Sequence, residues 1–96
     1  MKVRFIKEMF GLETYDLNIN DKGLVFSNKN NQISILYEDI KYFSLEGKNK
    51  KTKRFTLETK TLQYEGNFLL QDDADEFVHK ISEKCNCYFD LRMEIV

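Results

Sequence analysis

The sequence predicts an α+β, mostly β domain of about six to seven antiparallel strands followed by one C-terminal amphipathic helix. Three observations lead there. Apolar and polar residues alternate with a period near two from Tyr15 to Leu70, the signature of half-buried strands. Turn-forming residues break that stretch at short, regular intervals, and the chain contains no Pro, which favours a meander. Beyond Asp72 the apolar period lengthens to that of a helix with one buried face.

The elements follow in order. Residues 1–11 fit two patterns: Val3, Ile6, Met9 and Phe10 form a helix face ended by Gly11, whereas Val3 and Phe5 suit a strand. Tyr15, Leu17 and Ile19 alternate up to Asn20-Asp21-Lys22-Gly23, a hairpin-type turn in which Gly23 is expected to supply a positive φ. Leu24-Val25-Phe26 makes the next strand, and Ser27 to Asn31 the next turn. Ile33, Ile35 and Tyr37 alternate until Glu38-Asp39-Ile40 turns the chain. Tyr42, Phe43 and Leu45 then lead into Gly47. Phe55 and Leu57 mark one further strand, and Leu62, Tyr64, Phe68, Leu69 and Leu70 another, with Gly66 expected to form a bulge.

Asp72 is the expected N-cap of the helix, and acidic residues fill its first turn, where the dipole favours them. Ala74, Phe77, Val78, Ile81 and Cys85 define its apolar face. Period two returns in Cys87, Phe89, Leu91, Met93 and Ile95, so residues 86–96 read as an extra strand or an extended tail.

Ninety-six residues make one domain, 1–96, with its core expected at about 12–85. A chain of this length buries roughly 60–65% of its unfolded surface. Its 42% hydrophobic content and eight Phe can fill one core, while 32% charged residues cover the outside. No apolar run approaches the ~20 residues of a membrane-spanning helix. Charges interrupt the start, Met1 to Glu8, too often for a signal peptide, so a cytoplasmic protein is expected.

These strands and this helix resemble the pleckstrin-homology-like superfold, a partly open antiparallel barrel or sandwich capped by its C-terminal helix. The sequence is similar to bacterial PH and GRAM-like members at particular places. Gly23-Leu24-Val25-Phe26 looks like their second strand, and Ile35-Leu36-Tyr37-Glu38-Asp39-Ile40 like their aliphatic-x-Tyr-x-Asp-Ile turn. Asp72 to Lys84 is similar to their capping helix, with its acidic start and Glu-Phe-x-x-x-Ile. The chain also resembles the amino-terminal accessory domain of the helicase IV family. Shared features are the Gly-led strand, the Ile-bearing turn, a Gly ahead of a Phe-x-Leu strand, and the closing helix. The resemblance covers about residues 12–85 and implies a non-catalytic interaction or targeting module.

The strongest chemical feature is the loop Gly47 to Arg54. Its five cations, Lys48, Lys50, Lys51, Lys53 and Arg54, removed from a net charge of −1, leave −6 on everything else. Such a separation steers polyanions. The family resemblance implies contact with phosphorylated lipid headgroups, although this loop follows the fourth strand rather than the first hairpin. A pI near 5.8 argues against general DNA binding, but five phosphate contacts would still give a salt slope of roughly −4 to −5. Tyr42, Phe43 and Phe55 flank the loop and could stack on bases, though alternating strand aromatics read first as core.

A solvated turn is the competing reading of the loop. A protein partner is the expected ligand, with the basic loop and a sheet edge as contact surfaces. Nucleic acid or anionic lipid are the alternatives through 48–54. The C-terminal segment either fills a sheet edge in cis or pairs with a second copy in a homodimer.

The sequence carries no Gly-rich phosphate loop and no nucleophile elbow. His79 shares a helix stripe with Asp75 and Glu83 and reads as a surface residue. Cys85 and Cys87 would give zinc two ligands, with His79 as one soft third, and read instead as reduced thiols at a helix end. Asp72, Asp73, Asp75 and Glu76 are explained by the helix start. No enzyme, metal or cofactor is expected.

Overall fold

The computed structural model describes residues 1–6, 14–47, 54–88 and 90–95, with the backbone path alone at 47, 85–88, 90, 91 and 93–95. Among these residues eight strands form one sheet: β1 (Lys2–Phe5), β2 (Thr14–Ile19), β3 (Gly23–Ser27), β4 (Gln32–Leu36), β5 (Ile40–Gly47), β6 (Arg54–Thr59), β7 (Gln63–Phe68) and β8 (Asp90–Ile95). A 3-10 turn, Tyr37–Asp39, joins β4 to β5, and one helix, α1 (Gln71–Tyr88), precedes β8. The sheet order is β4-β3-β2-β1-β7-β6-β5-β8, antiparallel throughout except for the parallel β5–β8 pair. The mostly β, open, helix-capped architecture is the one the hydrophobic periods predict.

The sheet curls. β4 and β5 run in the same direction within it and are separated by five strands, yet only three residues connect them. Those residues reach roughly 10 Å, less than the length of one strand. The leading end of β4 must therefore lie across the start of β5, leaving an open seam beside the turn.

β1 occupies the middle of the sheet, between β2 and β7. Residues 1–11 thus contribute a strand, and the core begins at Val3 and Phe5, ahead of residue 12. The alternating rows of Lys2, Val3, Arg4 and Phe5 put the two apolar side chains inside. Without this strand the two meanders, β2–β4 and β5–β7, would have no shared partner. Residues 7–13, including Met9, Phe10 and Gly11, lie outside the described residues.

The core is a train of rings. Phe5 meets Tyr15 and Phe26 at 5.2 Å and Phe55 at 6.1 Å between centroids. Phe55 stacks on Phe43 at 5.5 Å, and Phe77 of α1 closes on Phe43 at 4.6 Å and on Phe68 at 5.5 Å. These separations lie within the favourable range for aromatic pairs. Ala74, Phe77 and Ile81 are fully buried, so the helical period aims one face of α1 into the open barrel. Leu62, Leu69 and Leu70 lie outside β7 and are exposed, because Tyr64, Gly66 and Phe68 take the inward positions.

Two glycine expectations change. Gly23 has no positive φ; the β2–β3 turn is held by the Asn20 carboxamide, whose Oδ1 accepts the N–H groups of Lys22 and Gly23 at 3.2 and 3.0 Å. Gly66 sits in unbroken register with Phe5 and Phe55 and forms no bulge. A Cβ there would lie 2.7 Å from the Arg4 carbonyl oxygen and from the Phe55 ring, so Gly66 is needed for close approach. The irregularity falls in β5 instead, between Ile40 and Tyr42. It shifts the inward residues from Ile40 to Phe43 and Leu45, turning half-buried Tyr42 outward.

α1 starts at Gln71, one residue ahead of the expected cap, so Asp72 lies within the first turn rather than capping it. Asp73 instead accepts the Lys2 N–H at 3.0 Å, tying the helix start to β1. The helix continues to Tyr88, so residues 86–88, including Cys87, are helical and the strand begins only at Asp90. β8 then pairs with its own β5 from Tyr42↔Asp90 to Gly47↔Ile95. A parallel pair needs a long crossover, which α1 provides.

Tyr37 anchors the 3-10 turn. Its hydroxyl donates to the Asn20 carbonyl at 2.5 Å, and burial, with Asp21 nearby, pushes its pKa above the ordinary 10.0. Burial raises Tyr64 as well. A pKa raised in the folded state adds stability that is whole below the unfolded value and drains as pH climbs past it. Urea midpoints are therefore expected to hold to about pH 9 and fall above about pH 10. Tyr37→Phe should cost about 1 kcal/mol at neutral pH, and its gap from the parent should narrow in alkali. A gap that widens with pH would contradict this.

Candidate functional site

The cationic loop connects β5 to β6. Lys48, Lys50, Lys51 and Lys53 lie outside the described residues, and Arg54 opens β6, opposite Glu46. The Arg54 guanidinium bonds the Glu65 carboxylate on β7 at 3.4 Å and remains half exposed. One of the five cations thus has an acid beside it on the outer face.

Of the aromatics flanking the loop, Phe43 and Phe55 are buried, at 0% and 1% exposure. Tyr42 alone faces outward. The Arg92 guanidinium covers its ring at 4.6 Å, and a hydrogen bond to Glu58 raises its pKa. This contact ties β8 across β5 to β6, and it takes up a ring face on which a base could stack.

His79 is exposed on α1, as is Glu83, and its carbonyl accepts the Ser82 hydroxyl at 2.9 Å. Among the described residues no group of His, Cys, Asp and Glu is placed to hold a metal ion. Cys85 and Cys87 fall on the backbone of the last turns of α1. No helix among the described residues is long and apolar enough to cross a membrane.

The two edges of the sheet differ. The β5 edge beside α1 is filled by β8, whose Asp90, Arg92 and Glu94 place charge at every second residue. β4 is the other outermost strand, and its sequence, Gln32-Ile33-Ser34-Ile35-Leu36, carries no charge. Tyr37 N–H donates to the Lys22 carbonyl, so by antiparallel alternation Ile33 and Ile35 also bond β3. Gln32, Ser34 and Leu36 consequently turn their backbone groups outward. Edge strands in natural proteins usually carry a Lys, a Pro or a bulge against unwanted pairing, and β4 has none.

Two of the clefts that border this strand bear on its edge. One of about 370 Å³ runs over β3 and β4 around Gly23 and Leu36. The other, about 260 Å³, is the seam itself, between Ser34 and Ile35 on one side and Thr59, Lys60 and Thr61 on the other. Sequence reasoning singled out the loop and missed β4, because Ile33 and Ile35 read identically in an edge strand and a central one. The only available signal was the lack of charge in the strand.

A comparison of the chain with family models and with curated proteins finds no match.

Proposed function

We propose that this chain is a non-catalytic interaction module of the pleckstrin-homology-like kind that binds a protein partner. The observation that carries the reading is the β4 edge: uncharged, outermost in the sheet and bordered by clefts. An extended segment laid against such an edge gains main-chain hydrogen bonds from the sheet and specificity from neighbouring pockets. The cationic loop at the β5–β6 hairpin supplies a second contact surface, suited to an acidic region of the same partner.

The competing class is an accessory nucleic-acid-binding domain, which the loop charge favours. One experiment separates them, using the chain alone and its Lys50→Glu/Lys51→Glu variant. For a protein-binding module, neither duplex DNA nor phosphoinositide vesicles should bind the parent above about 1 mM affinity. A parent that binds DNA with a log–log salt slope of roughly −4, reduced by about 2 in the double variant, would replace this reading with the nucleic-acid one. Vesicle binding lost in the variant would replace it with an anionic-lipid reader.

A further inference from the structure

We infer that the seam between β4 and the β6–β7 turn is a slot for a single extended, uncharged segment of the partner, which adds to β4 as a ninth strand. This deepens the protein-binding reading and rests on it. The slot has a floor, two walls and a closed end. Ile35 and Tyr64, 7% and 8% exposed, make an apolar floor. The outward backbone groups of Ser34 form one wall within the cleft, and Thr59, Lys60 and Thr61 the other. At the narrow end the Lys60 N–H donates to the Asp39 carbonyl at 3.0 Å, and its ammonium pairs with the Asp39 carboxylate at 3.7 Å.

Size selects the occupant. At 3.3 Å per residue, about 4.8 Å between strands and about 10 Å of thickness, one strand residue fills roughly 160 Å³. The 260 Å³ seam therefore takes about two residues of one strand. Charge selects it further. Among the described residues the ions at the rim are Lys60 and Asp39, which pair with each other, and β4 carries none. A charged side chain turned onto Ile35 and Tyr64 would be desolvated without gaining a partner. An alternating segment, apolar toward Ile35 and Tyr64 and hydroxyl-bearing outward, fits both conditions.

The test uses the capped pentapeptide acetyl-Ser-Val-Thr-Val-Ser-amide, titrated into the whole chain and followed by amide chemical shifts. Saturable shifts are expected at Ser34, Leu36 and residues 59–61, with a Kd on the order of 0.1–1 mM. Ser34→Pro should weaken binding at least tenfold and leave the melting temperature unchanged, since proline on an edge strand sacrifices only an outward N–H. The same peptide carrying backbone N-methyl groups should not bind the parent, which keeps the test decisive if the variant misfolds. No shifts at about 5 mM peptide, shifts confined to β5 and β8, or equal binding by the N-methylated peptide would each overturn the slot. None of those results touches the broader reading, which falls only if DNA or vesicles bind as set out above.

Discussion

Phe77→Ala is expected to lower the free energy of unfolding by about 3–5 kcal/mol, the range for deleting a buried aromatic ring. Phe77 is fully buried and is the one ring that α1 inserts between Phe43 and Phe68. A domain of this size has about 5–15 kcal/mol in all, so the variant should be partly unfolded or close to it. The exposed His79, two residues on, is the control: His79→Ala should stay within about 0.5 kcal/mol of the parent. Urea unfolding curves measure both. A loss under about 1 kcal/mol for Phe77→Ala would show that the helix does not close the core.

Gly23→Ala is the second large effect. Its added methyl would stand 2.0 Å from the Ile35 carbonyl oxygen and 2.9 Å from Leu36 Cα, both backbone atoms of β4. Backbone in a paired strand cannot rotate away as a side chain can. Relief must come from moving β4 off β3, at a cost of about 3 kcal/mol or more. Because β4 is an edge strand, the damage should stay local at first. Hydrogen exchange at Ile33 and Ile35 should accelerate by about two orders of magnitude, while β6 and β7 exchange near the parent rate. The same variant should lose the pentapeptide, since the wall of the seam is displaced. Gly66→Ala makes the contrast: its methyl meets the Arg4 carbonyl and the Phe55 ring in the middle of the sheet, so its cost of about 1–3 kcal/mol should appear as global destabilisation.

Both variants bear on how far local pattern carries. The inward row of β2, Tyr15 and Leu17, and that of β6, Phe55 and Leu57, follow from alternation alone. So does the buried face of α1, because a helix presents every third or fourth residue to one side whatever it packs on. Tyr42 shows where alternation fails. It sits next to Phe43 in an apolar run, and only the bulge after Ile40, set by pairing with β6, determines that Phe43 enters the core and Tyr42 leaves it. The C-terminal segment shows the same limit, since residues 86–88 satisfy a strand pattern yet complete the last turn of α1.

The candidate site was less legible than the fold. Charge concentrated in 48–54 is visible in a string of letters, because charge needs no partner to be counted. An unpaired strand edge is not, because whether Ser34 spends its backbone groups on a neighbour depends on a strand elsewhere in the chain.

The sequence by itself determined the kinds of element between Tyr15 and Lys84, their order, and which side of α1 and of most strands is apolar. Those properties depend on residues within a few positions of one another. Tertiary structure alone decided that β1 joins the two meanders, that β8 lies parallel on the β5 edge, and that β4 is left outermost beside an open seam. Each of these is a choice among pairings of distant segments with similar local patterns. It is made by the curl of the whole sheet around one ring-filled core, which no short stretch of residues contains.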